Sequence, residues 1–117
     1  MNFISPSDLN QLINSSDEIA LIDVREQGEF GKQHILLCAN IPLSQLEMKV
    51  PVLVPRKSCH IVICDFEGEL SSRAFDVLSS YGYTNISSLR GGVKAWKEGK
   101  FEVFSGVNVP SKAFGEF

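Results

Sequence analysis

The hydrophobic pattern of this chain changes period several times, and each change marks an element. Two short runs, Ile19-Ala20-Leu21-Ile22 and Ile61-Val62-Ile63, contain no charged residue. A continuous run of this kind suits a strand of a parallel sheet covered on both faces, because a half-exposed strand alternates apolar and polar positions. Beyond the second run, Leu70, Ala74, Val77, Leu78 and Tyr81 recur at helical spacing. They predict a helix from near Leu70, with Gly82 as its C-terminal stop. Ser5-Pro6-Ser7-Asp8 has the form of a helix start, with Ser5 as cap, Pro6 at the first helical position and Asp8 reaching back toward the cap. Leu9, Leu12 and Ile13 then make its buried stripe.

The remaining elements are shorter. Glu26 to Phe30 predicts a short helix, Cys38 to Ile41 a short strand ended by Pro42, and Ser44 to Val50 a helical segment. Pro51 and Pro55 bound an irregular connection into the strand at Ile61. Tyr83 to Leu89 contains the last strand, and Arg90-Gly91-Gly92 turns it into a helix anchored by Val93 and Trp96. Strands alternating with helices at this pace predict an α/β fold, a parallel sheet with helices on both faces. From Phe101 onward the pattern fits neither period, yet Phe104, Val107, Val109, Phe114 and Phe117 are too apolar for a solvated tail. The chain therefore divides into a domain at residues 1–100 and a C-terminal extension or connector at 101–117, which packs on this domain or on a neighbouring one.

Composition narrows the function classes. A length of 117 residues allows one domain with a real core. The net charge of −3 argues against a nucleic-acid or acidic-membrane partner. The longest apolar run, Ile35 to Ala39, is far shorter than the roughly 20 residues that span a bilayer, and no signal sequence is visible, so the expected location is cytoplasmic. Cys38, Cys59 and Cys64 form no C-x-x-C pair and, with two histidines, lack the spacing of a zinc site. Neither metal nor organic cofactor is expected.

Cys64 is the candidate with chemistry attached. It ends a buried strand and opens the polar stretch Asp65-Phe66-Glu67-Gly68-Glu69-Leu70, which runs into a helix. Such a loop can turn backbone N–H groups inward, and the helix N-terminus adds partial positive charge. A thiol at its centre ionises more easily and becomes a nucleophile. The same pattern also fits a small core residue at a strand end. Asp23 ends the other buried run, where its simplest role is to accept N–H groups of the following turn.

Three segments together resemble the rhodanese-like domain: LIDVREQGEFGKQHI at 21–35, IVICDFEGELSSRA at 61–74 and LRGGVKAW at 89–96. The resemblance covers nearly the whole chain and implies a five-stranded parallel sheet. It also implies a sulfurtransferase mechanism in which Cys64 takes a sulfane sulfur from a donor such as thiosulfate or a persulfide and passes it to a thiol or cyanide. The partners it implies are a small sulfur donor, or a protein persulfide or thiol acceptor. The ending from Val107 to Phe117 resembles the connector after a module in multi-domain rhodaneses, which implies neighbouring rhodanese-like domains in a longer chain.

This sequence departs from the family pattern in two ways. In short-loop members the helix leucine and the later glycine stand one residue nearer the cysteine than Leu78 and Gly82 do here, so the loop counted from Cys64 is one residue longer. That length resembles the cell-cycle phosphatases and arsenate reductases of the same fold, in which an arginine often follows the cysteine by six positions. This chain has Leu70 there, which cannot grip an oxyanion. Asp65, Glu67 and Glu69 crowd the same loop with negative charge. A phosphatase is therefore disfavoured, and a non-catalytic interaction module is the remaining alternative to sulfur transfer. Among cations, Arg73 is expected nearest the sulfur site or paired with Glu69, with Arg25 and Arg90 reaching it through the fold.

Overall fold

The computed structural model describes residues 2–106. Five strands, β1 (Asn2–Ile4), β2 (Ile19–Asp23), β3 (Ala39–Asn40), β4 (His60–Cys64) and β5 (Ile86–Leu89), form one sheet in the order β1-β5-β4-β2-β3. All neighbours are parallel. The helices are α1 (Pro6–Ile13), α2 (Gln27–Lys32), α3 (Leu46–Leu53), α4 (Ser71–Ser80) and α5 (Gly92–Glu98), with a 3-10 turn at Leu43–Gln45 before α3.

The two uncharged runs lie at the centre because both of their faces are covered. Ala20, Ile22, Ile61 and Ile63 pack with Leu46 and Val50 of α3 and Ala74 and Leu78 of α4. Ile19, Leu21, Val62 and Cys64 face the other way and pack with Leu9 of α1, Phe30 of α2, and Val93 and Trp96 of α5. The alternation of β-strand side chains thus assigns every second residue of β4 to a different core.

The local signals act as their chemistry requires. The Ser5 hydroxyl accepts the Asp8 N–H at 3.1 Å, and Pro6 begins α1. At the end of α4, Gly82 adopts φ 91°, while the Gly82 and Tyr83 N–H groups return to the Ser79 and Leu78 carbonyls. This paired closure satisfies carbonyls that the last helical turn leaves open. Tyr81 departs from the expected stripe, being exposed at the helix end where the chain turns away. The segment after Val50 also differs from expectation, since α3 continues through Pro51 to Leu53. Proline here gives up a single hydrogen bond in the final turn. The Val54 N–H still reaches the Val50 carbonyl, and the Tyr83 hydroxyl donates to the Val54 carbonyl.

Past α5 the chain folds back on the domain. Phe101 packs on Trp96 with ring centroids 4.8 Å apart, and the Trp96 Nε1–H donates to the Glu102 carbonyl at 2.7 Å. Phe104 forms an isolated antiparallel bridge with His34. Val107, Val109, Phe114 and Phe117 lie outside the described residues.

The turn into α5 leaves no room for a side chain. Gly92 has φ 63°, and a side-chain carbon there would meet the Phe66 carbonyl oxygen at 2.3 Å and the Asp65 oxygen at 2.5 Å. The Val93 and Lys94 N–H groups bind those same two carbonyls at 2.8 and 2.9 Å. Gly92→Ala should therefore lower unfolding stability by about 1–3 kcal/mol or more, through backbone strain and loss of this contact. Gly28→Ala, in the open first turn of α2, should instead be neutral or stabilising by up to roughly 0.5–1 kcal/mol. Urea denaturation of the two variants measures the contrast.

Candidate functional site

The C-terminal ends of β4 and β5 bring the loop 65–70, the first turn of α4 and the Gly91-Gly92 turn together. At this edge of a parallel α/β sheet ligands usually gather. The loop N–H groups do turn inward, but what they meet is a pair of carboxylates. Asp65 Oδ1 accepts the Gly68 N–H at 2.6 Å, and Oδ2 accepts the Leu70 N–H at 2.7 Å. The Ser71 hydroxyl donates to the same Oδ2 at 3.1 Å and itself accepts the Ser88 hydroxyl at 2.7 Å. The Glu69 carboxylate takes the N–H groups of Phe66 and Glu67, both at 3.0 Å.

Asp65 is fully buried. Burial pushes its pKa up, the Leu70 N–H holds it down, the nearby Glu69 charge pushes it up again, and the Ser71 hydroxyl and Gly68 N–H oppose that rise; the net direction is upward. A buried carboxylate is tolerated here because four donors, two of them backbone groups near a helix start, converge on or behind it.

Cys64 sits elsewhere. As the last residue of β4 it follows the alternation of Val62, and its thiol lies with Leu9, Phe30 and Val93 in the core beneath the loop, with no exposed surface. The expected place of Cys64 at the loop's centre is thus taken by Asp65, because one step along a strand reverses the side-chain direction. Cys38, from the approach to β3, packs in the same core.

The surrounding residues divide in the same way. Asp23 accepts the Arg25 N–H at 3.0 Å, the turn-holding role read from the sequence, and also grips the Arg25 guanidinium at 2.7 Å. Arg25 donates further to the Gln33 carbonyl, while Asn40 binds the Asp23 and Arg25 carbonyls. Burial opposes the Arg25 charge, but the Asp23 hydrogen bond and charge, and then Cys38 and Cys64, hold its pKa above the usual value. Arg25 is therefore a buried cation held just past the end of β2. Arg73 is exposed on α4 and forms no ion pair among the described residues, since Glu69 is committed to the loop amides. Arg90 is exposed and lies over the Phe3 ring at 4.8 Å on the far side of β5. Leu70 is half-buried against the α3/α4 core, as its helical spacing implied.

Phe66 and Glu67 form the outer rim. Phe66 is 43% exposed, and Glu67 pairs with Lys94 at 3.4 Å. Beside Phe66 lies a groove of about 430 Å³ lined by Gln33, Val93, Lys94, Lys97 and Glu98. Ser71 and Ser88 were not singled out from the sequence; the only signal was two serines in the otherwise apolar Ile86-Ser87-Ser88-Leu89. Among the described residues no group of three His, Cys, Asp or Glu side chains could hold a metal ion, and no helix is long and apolar enough to cross a membrane.

Comparison with known proteins places this geometry in a family. The model of the rhodanese-like domain matches residues 5–99. The uncharacterised protein YqhL of Bacillus subtilis is 42% identical over 76 residues, which are 65% of this chain and 59% of that protein. Thiosulfate sulfurtransferase PspE of Escherichia coli is 32% identical over 73 residues, 62% of this chain and 69% of that one. A crystal structure of thiosulfate sulfurtransferase from Pseudomonas aeruginosa superposes with a TM-score of 0.86 at 32% identity, covering 91% of this chain and 20% of that one. The chain spans 59% and 58% of the lengths of YqhL and the Synechocystis protein slr1261. With the matching family model spanning nearly all of the described fold and sulfurtransferases among its relatives, this chain belongs to the rhodanese-like domain family.

Proposed function

We propose that this chain is a rhodanese-like module that binds partners without carrying sulfur on its active-site loop. The observation behind this reading is the Asp65 carboxylate accepting the Gly68 and Leu70 N–H groups and the Ser71 hydroxyl, where a persulfide would need them. Sulfane-sulfur transfer requires a thiolate that attacks the donor, and the persulfide that forms is anionic. A carboxylate offers no sulfur to form that bond and already uses the donors that would stabilise it.

The spacing supports the same reading. Counted from Asp65 instead of Cys64, Leu78 and Gly82 each come one residue nearer, which is the short-loop arrangement of the family. The extra loop residue inferred from Cys64 then disappears, and with it the likeness to phosphatase and arsenate-reductase loops. Leu70 removes a further source of anion affinity, and Glu69 fills the remaining amides. What stays available at this edge is the rim of Phe66 and its groove, a surface suited to contact more than to chemistry.

A sulfurtransferase acting through a Cys64 persulfide, which the family resemblance implies, is the alternative, and its relatives include enzymes of that activity. It requires the thiol to leave a core in which it has no exposed surface. The two readings part in one experiment. The full chain is incubated with thiosulfate, then assayed for thiocyanate formation with cyanide and for added sulfur by intact mass and peptide mapping. We expect no sulfur on the wild-type chain and no turnover above the uncatalysed rate. Asp65→Cys should gain sulfur at residue 65, and Asp65→Cys with Leu70→Arg should do so at lower thiosulfate concentration, at a stability cost of about 1–3 kcal/mol from the lost leucine burial. Turnover by the wild-type chain that disappears in Cys64→Ser would overturn the proposal and restore the transferase reading.

A further inference from the structure

At the Phe66 groove a large aromatic ring is exposed on backbone that is tied on both sides. The Phe66 N–H donates to Glu69 Oε1 at 3.0 Å, and the Phe66 carbonyl accepts the Lys94 N–H at 2.9 Å. The ring is nonetheless exposed. An aromatic anchor held in this way can bind without the cost of ordering a loop. Val93, buried near the start of α5, supplies an apolar wall of the groove. Lys97 Nζ donates to Gln33 Oε1 at 3.2 Å, so the ammonium spans from α5 to the residue that ends α2. That acceptor is neutral, and Lys97 forms no ion pair among the described residues. Lys94, in contrast, is paired with Glu67. Two lysines and a single glutamate, Glu98, line the groove, so positive charge prevails there in a chain whose net charge is −3. The neighbouring amides are already engaged, those of Phe66 and Glu67 by Glu69 and those of Val93 and Lys94 by the loop carbonyls. A partner at this groove therefore binds through side chains, with no main-chain pairing to these four groups.

We infer that the Phe66 groove receives an acidic protein segment, with an apolar side chain of the partner packed between Phe66 and Val93 and a neighbouring carboxylate on the Lys97 ammonium. This inference rests on the module reading proposed above and names the chemistry of its partner. The aromatic ring and Val93 supply the apolar area that drives association. Lys97 supplies direction, because a carboxylate gives its charge the partner that Gln33 does not, and a basic segment would be repelled. The Lys94–Glu67 pair lies at the rim with both side chains half exposed, so it can open to a second carboxylate at little cost.

Selection from a displayed library of random twelve-residue peptides tests the inference, with the full chain as bait and the enriched peptides then synthesised for fluorescence-anisotropy titration. The wild-type chain should enrich sequences that join an aromatic or aliphatic residue to aspartate or glutamate, and their affinity should fall as salt rises. Phe66→Ala should weaken the best peptide by about tenfold or more, and Lys97→Ala by about two- to fivefold. Lys97→Glu should instead enrich peptides rich in lysine and arginine. Circular dichroism of each variant confirms that it is folded. No enrichment, enrichment of basic or uncharged sequences by the wild-type chain, or undiminished binding to Phe66→Ala would overturn the inference. Its failure is distinct from that of the module reading. Sulfur turnover by the wild-type chain that depends on Cys64 would end that reading whatever the library returns, whereas an empty selection without turnover would end this inference alone.

Discussion

A carboxylate buried at the end of β4 sets the form of everything around it. Asp65 holds the loop through the Gly68 and Leu70 N–H groups, holds the first turn of α4 through Ser71, and is linked to β5 through Ser88. Its own carbonyl receives the Val93 N–H at the start of α5. Four elements are thus tied to one residue. Removing that carboxylate would leave backbone donors unpaired inside the protein, and such a loss typically costs about 1–3 kcal/mol for each buried group. The close approach at Gly92 follows from the same arrangement, because α5 can donate to the loop carbonyls only where no side chain intervenes.

The electrostatics of the site follow from this constraint. Helix starts and inward N–H groups favour an anion, and in this chain the anions are intramolecular. Asp65 and Glu69 supply them at no cost in association entropy, so an external phosphate or thiosulfate would have to displace two tethered carboxylates. The raised pKa of Asp65 marks the strain that burial and the neighbouring Glu69 impose on this solution. Arg25, the buried cation past the end of β2, does not relieve it, since its guanidinium is paired with Asp23.

Much of the fold was legible in the sequence because its signals are local. The two uncharged runs, the Ser5-Pro6 start, the Gly82 stop and the Gly91-Gly92 turn each depend on residues within a few positions of one another. β1 was not read, since Asn2-Phe3-Ile4 is too short to show a period and gains its strand character only by pairing with β5. The continuation of α3 through Pro51 escaped notice because proline marks a boundary only where the lost bond is not near the helix end. The site itself was harder. A cysteine at the end of a buried run is conspicuous, but which residue of Cys64-Asp65 enters the loop depends on strand phase, and both faces of β4 are apolar. The alternation that would fix the phase was therefore invisible, and only the one-residue surplus to Leu78 and Gly82 carried the information.

Amide proton shifts followed by nuclear magnetic resonance against pH test the occupation of the loop most directly. If Asp65 accepts the Gly68 and Leu70 N–H groups, both resonances should move together through one transition whose pKa lies above the ordinary value of 3.8, and neither should respond to added thiosulfate. Gly68 and Leu70 resonances that ignore pH but shift with thiosulfate would contradict the account, because they would show the loop open to an external anion.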